Sequence, residues 1–229
     1  MTITSTGLTK AAGVAAAAAG AIFIVVQINH PPMVAASVET TEWVVRSTAK
    51  AVMAALALAG ITGMYLHTRR RVGWPAWLSL VGYLLFAAGY LAMFATEVIA
   101  ATVLPTVVGS QPGYVNDVLV SAAGGTPAGD IGGMQTVLNL AGVGYLVGGL
   151  TFGIALFRTG ILARWAAILL AVGTLGTAAL AVLPEGFNRP LAVPVGIALI
   201  GLGVSLWRSL DRSPAPTAPV APVREPAVP

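Results

Sequence analysis

An all-α integral membrane bundle of about six spans is the fold this sequence predicts, and three observations predict it. Charged residues make up 9 % of the 229 and apolar ones 57 %, against about a quarter and just under half in a soluble domain. With a mean hydropathy of +0.87, water is the wrong solvent for most of the chain. The apolar residues gather into runs of roughly 20, the length a helix needs to cross a bilayer, and runs this long and uniform are not strands. The basic residues stand at the ends of those runs, where membrane orientation puts them. The net charge of +4 is therefore topological. The partner implied is the lipid bilayer and not nucleic acid.

In chain order the runs fall at 8–29, 42–67, 77–104, 134–157, 162–183 and 191–207, so that residues 1–212 form one six-span domain. The first run also has features of a cleaved secretory signal: Lys10, an apolar stretch and small residues near 34–36. Its apolar stretch is long for a signal, and Asn29-His30-Pro31-Pro32 stands awkwardly before the cut. Spans two and three resemble spans four and five. Gly63, Arg69, Trp74 and Gly82 match Gly153, Arg158, Trp165 and Gly173 with one residue's gap, as a parallel duplication of a hairpin would, unlike the inverted repeats of many transporters. Span four carries Gly144-x-x-x-Gly148 and Gly149-x-x-x-Gly153, a spacing that lets helix backbones approach closely. These four glycines suit packing inside the bundle or a homo-oligomer interface. Residues 213–229 alternate Pro with Ala and Val and predict a disordered, polyproline-like cytoplasmic tail.

Charge sets the orientation. With the first loop outside, Lys10, Arg69, Arg70, Arg71, Arg158, Arg164, Arg208, Arg212 and Arg224 fall inside, nine of twelve basic residues; Arg46, Lys50 and Arg189 fall outside. Both termini are then cytoplasmic. Three inner helix ends repeat an aromatic ring beside a cation: His67 before Arg69, Phe157-Arg158 and Trp207-Arg208. That pattern anchors helices at the headgroups.

Ionisable groups at membrane depth are where function is sought. Counting about 1.5 Å per residue from the inner ends places Lys50, Glu97 and Asn139 about 28–30 Å out. His30 stands at that level or slightly above, with Arg46 and Gln135 one turn further. A polar belt thus rings the outer end of the bundle. Glu42, Arg46 and Lys50 share a helix face at i, i+4, i+8, and antiparallel neighbours let Glu97 pair with Lys50 or Arg46. The belt is either an ion-paired clasp between helices or the floor of an outward-opening pocket. The candidate ligand-binding residues are Glu97, Lys50, Arg46, Glu42, Asn139, Gln135 and His30. The loop 105–133 is rich in glycine and longer than a simple connection needs. It predicts a short interfacial helix at 114–120 with Asn116 and Asp117 facing water, as a passive covering or a ligand lid.

Several chemistries are excluded by count and distance. Zero cysteines removes disulfides, thiolate nucleophiles and cysteine-ligated metal. His30 and His67 lie about 30 Å apart across the hydrocarbon, too far to share a haem or metal ion. H-E-x-x-H and G-x-S-x-G are missing. No cofactor, metal site or catalytic residue is predicted.

The hairpin L-F-R-T-G-I-L-A-R-W, from Leu156 to Trp165, resembles the corresponding hairpin of a broad group of uncharacterised bacterial multi-span membrane proteins. The resemblance implies the architecture and a bacterial plasma membrane, and brings no functional residues. The expectation is a non-enzymatic accessory, sensory or small-ligand or lipid-binding bundle. The alternative is a small transporter or channel using Glu97 with Lys50 or Arg46, and a third reading is an outer-leaflet enzyme acting through the belt's carboxylates. Transport needs polar stepping stones past the midplane. Thr62, Thr151, Thr174 and Thr177 are the main ones, and hydroxyls there commonly bond their own helix backbone.

Overall fold

The computed structural model describes residues 4–69, 75–178 and 190–211, and among these it is all-helical. The helices are α1 (Ser5–Val25), α2 (Thr41–Thr68), α3 (Pro75–Thr102), α4 (Leu104–Val107), α5 (Pro112–Ala122), α6 (Gly133–Thr159), α7 (Arg164–Gly176) and α8 (Val193–Asp211). Short 3-10 turns lie at Ala35–Ser37 and Pro190–Ala192. Five helices, α1, α2, α3, α6 and α8, are long and apolar enough to cross a membrane, with mean hydropathies of 1.6 to 1.9 over 18 residues. The chain is a helical membrane bundle. The fifth predicted span is shorter than its apolar run: α7 has 13 residues, about 20 Å of helix. Positions 179–183 of that run and the tail 213–229 lie outside the described residues.

The long helices form a ring. Each of α1, α2, α3, α6, α7 and α8 packs on the next in chain order, and α8 closes on α1. The ring's interior is one apolar core, drawn from all six helices and including Ala16, Met53, Ile61, Phe86, Phe152, Leu170 and Leu202. Phe86, Tyr90 and Tyr145 meet edge and face across it, with centroids 4.8 to 5.9 Å apart, and Phe23 of α1 reaches Tyr145 of α6 at 6.5 Å. Outside, Val14, Val52, Leu84, Leu91, Val143 and Val172 are exposed on successive helices. An apolar exterior of this extent is stable in lipid and not in water.

Glycine sets the seams. In hydrocarbon no hydrophobic force drives helices together, so close backbone approach must supply the attraction. Glycines seven residues apart, which is two turns and returns to one face, recur along these seams: Gly13 and Gly20 on α1, Gly82 and Gly89 on α3, Gly196 and Gly203 on α8. A Cβ at Gly13 would stand 2.8 Å from the Gly203 carbonyl oxygen, and one at Gly20 would collide with the Gly196 carbonyl. Because 13 meets 203 while 20 meets 196, α1 and α8 are antiparallel and both ends of the described chain share one end of the bundle. There the Lys10 ammonium lies 5.2 Å from the Trp207 ring, within cation–π range.

The second seam joins α3 to α6: Gly82 meets the Phe152 backbone, Gly89 that of Gly144 and Tyr145, and Gly148 that of Phe86. Gly149 and Gly153 turn the other way, onto Thr174 and Ala171 of α7. The four glycines that the sequence also offered to a second copy therefore have their close-approach faces filled by α3 and α7 of the same chain. The hairpin repeat is kept only in part. Gly82 and Gly173 each face the next helix of the ring, but Gly63 looks back to Ala12 of α1 while Gly153 looks forward to α7.

Candidate functional site

At the end of the bundle opposite the chain termini the polar belt is assembled from α1, α2, α3 and α6. Helix α1 stops because Asn29 takes a positive φ of 51° and Pro31-Pro32 cannot continue the hydrogen-bond ladder. Its last carbonyls need donors, and Arg46 of α2 supplies them. Arg46 Nη1 donates to the Val26 and Ile28 oxygens at 3.2 and 2.7 Å, while Nε donates to Glu42 Oε1 at 2.9 Å. A cation at this helix C-terminus also meets the negative end of the helix dipole. Of the two partners the sequence allowed Glu97, Arg46 is not the one the structure supplies, because its guanidinium is committed to Glu42 and to α1.

Lys50, one turn deeper, ion-pairs with Glu97 of α3 at 3.5 Å, with both side chains mostly covered (15 % and 19 % exposed). The single face of α2 inferred from the i, i+4, i+8 spacing thus serves two neighbours, α1 through Arg46 and α3 through Lys50. Trp43 adds a further tie to α3: the side chain is buried, and its Nε1–H donates to the Ala100 carbonyl at 2.9 Å. Nothing in the charge pattern singled out Trp43. The available signal was an indole in the first turn of an apolar helix, which when buried needs a partner.

Three candidates remain: Gln135, Asn139 and His30. Ser121 of α5 donates to Gln135 Oε1, and Gln135 Nε2 donates to Asn139 Oδ1, each at 3.0 Å. Asn139 is exposed. His30 donates from Nδ1 to the Pro31 carbonyl at 2.7 Å and sets its ring edge-on to Trp43. His67 is at the other end of the bundle, in the last turn of α2.

Over the belt sits an ordered cap with its own small core: Val38, Trp43, Leu104, Val108, Val115, Val118, Leu119 and Ile131. Helix α5 starts with Pro112 and extends past the predicted 114–120 at both ends. Asn116 is exposed. Asp117 accepts from the Ala128 and Gly129 amides at 2.9 and 3.0 Å, tying down the glycine-rich loop. A shallow groove of about 520 Å³ runs beside this end, lined by Val26, Ile28, Glu42, Val45 and Arg46 but by neither Lys50 nor Glu97.

Arg46→Met is expected to lower stability by about 1–2 kcal/mol, since it uncaps two carbonyls and removes charge-assisted bonds. Glu42→Gln should cost under about 1 kcal/mol, as Glu42 is 54 % exposed. Thermal melting of the two variants in detergent checks the order.

No protein-family model matches this chain, and comparison with curated proteins and with solved structures returns no significant match.

Proposed function

We propose that this protein is a non-enzymatic, lipid-associated bundle of the bacterial plasma membrane, with both termini cytoplasmic, that moves no solute through its centre. The observation carrying this reading is that the belt is closed on itself while the ring below it is filled. Lys50 and Glu97 pair, Arg46 serves Glu42 and the end of α1, and the interior beneath is aromatic and aliphatic. The hydroxyls that transport would use as stepping stones bond their own helices: Thr62 to Leu58, Thr151 to Val147, Thr174 to Leu170 and Thr177 to Thr174, at 2.6 to 2.9 Å. The orientation is supported by Lys10, Arg69, Arg158, Arg164 and Arg208 at the termini end against Arg46 and Lys50 at the capped end. The bacterial assignment rests on the hairpin resemblance.

Both parts are testable. Proteoliposomes carrying the purified protein should show proton, potassium and chloride flux no greater than protein-free vesicles, and Glu97→Gln should change nothing. A flux above background that Glu97→Gln abolishes would overturn the reading in favour of transport. For orientation, the natural chain has no cysteine, so single cysteines report unambiguously. In intact cells an impermeant maleimide should label Ser110→Cys and spare Thr159→Cys; the reverse pattern inverts the topology.

A further inference from the structure

At the termini end a groove of about 880 Å³ opens between α7 and α8, and its lining changes character along its length. Ile197, Gly201, Val204 and Arg208 line it from α8. Their spacing of 4, 3 and 4 makes them one stripe on that helix. From Arg208 to Ile197 is 11 residues, about 16 Å of helix, which matches the roughly 15 Å of hydrocarbon in one leaflet. The apolar part of the stripe is bounded by the Trp165 ring of α7, which packs onto Gly201 so closely that a Cβ there would collide with it.

The other end of the groove is polar and positive. Arg208 is exposed there, and beside it Ser209 links to His67 of α2 at 3.1 Å. Ser209 spends its own proton on the Leu206 carbonyl at 2.7 Å, so His67 Nε2–H is the donor and the imidazole is fixed at the groove's mouth. Helix α7 begins at the same place with Ala163 as N-cap and no side-chain cap, leaving the positive end of its dipole towards the groove. Ser205 holds that helix start against α8 by accepting from the Ala163 amide at 2.9 Å. Among the described residues no acidic side chain lines the groove.

We infer that this groove binds an anionic phospholipid of the adjacent leaflet, with the phosphate at Arg208 and the mouth formed by His67 and Ser209, and one acyl chain along Val204, the Trp165 ring that covers Gly201, and Ile197. A cationic head at interface depth followed by an apolar slot one leaflet long fits a lipid better than a free anion, which would use only the head, or an apolar solute, which would use only the slot. This rests on the lipid-associated reading above and names the lipid class and the site. Solute flux in the vesicle assay would overturn that reading without touching the binding measurement.

The test is thermal melting of the full chain in neutral detergent, titrated with dioctanoyl phosphatidylglycerol, dioctanoyl phosphatidylcholine or glycerol 3-phosphate. Phosphatidylglycerol is expected to raise the melting temperature saturably by several degrees, phosphatidylcholine to act more weakly, and glycerol 3-phosphate not at all. Arg208→Gln should weaken phosphatidylglycerol about fivefold, the effect of one cation near a lipid surface, while leaving phosphatidylcholine unchanged, and Arg208→Lys should restore it. Ile197→Trp, which fills the apolar half from an exposed position, should weaken both lipids. Equal responses to the two lipids, an unchanged response in Arg208→Gln, or a full response to glycerol 3-phosphate would each overturn the assignment. Native mass spectrometry of the unaltered protein, showing or lacking retained phosphatidylglycerol, decides the matter should a variant fail to fold.

Discussion

Gly148→Ala will destabilise the bundle by about 3 kcal/mol, whereas Gly142→Ala, six residues earlier on the same helix, will leave stability unchanged or raise it by up to about 1 kcal/mol. The substitutions are chemically identical and both remove a glycine from a helix interior, which alone favours the alanine. Their surroundings differ. A Cβ at Gly148 would collide with the Phe86 backbone, and one at Gly142 meets nothing within 4 Å. Backbone cannot rotate aside as a side-chain tip can, so α3 and α6 would have to separate. That separation would also unseat Phe86, Tyr90, Tyr145 and Phe152, which meet across this seam. Melting temperature and monodisperse yield in detergent report both variants. Comparable behaviour of the two would mean that the seam is not a close-packed contact.

Glu97→Leu is expected to cost about 2 kcal/mol, and adding Lys50→Met to it should return most of that loss. Removing one member of a mostly covered ion pair leaves the other charge poorly compensated, while replacing both by apolar groups restores a site that lipid and neighbouring helices solvate well. The double-mutant cycle should therefore show the two losses to be far from additive. Additivity would mean that the 3.5 Å contact is incidental. Exchanging the charges, Lys50→Glu with Glu97→Lys, should retain more stability than either single reversal.

Much of this arrangement is legible in the chain because a membrane simplifies the problem. Run length and charge scarcity determine which segments cross, and counting from the inner ends of the spans brings Lys50 and Glu97 to one level. The pairing of Glu42 with Arg46 follows from helix periodicity alone. What the sequence does not express is which side of each helix meets which neighbour. Gly13, Gly20, Gly196 and Gly203 have the seven-residue spacing of a seam, yet the spacing does not say that the first helix pairs with the last. The span-four glycines suited packing inside the bundle and left an outside partner open, and α3 and α7 of the same chain take them. The choice between Lys50 and Arg46 as the partner of Glu97 stayed open for a related reason: Arg46's further partners are carbonyls of Val26 and Ile28, and backbone acceptors leave no mark in a residue pattern. The groove between α7 and α8 is not legible in the chain because Arg208 reads as an ordinary interface anchor and Trp165 as part of a hairpin repeat until the fold sets them along one slot.

The closure of α8 on α1 has a consequence for biogenesis. The glycine face of α1 leaves the ribosome well before its partner on α8 is made. Between Gly20 and Gly196 lie about 175 residues, some 10–35 s of synthesis at ordinary rates. Throughout that interval the newborn α1 must either lie against α2 with its second face open to lipid or be sheltered by the insertion machinery. Chains released before α8 is made would carry that open seam into the membrane, and would be the natural targets of its quality-control proteases.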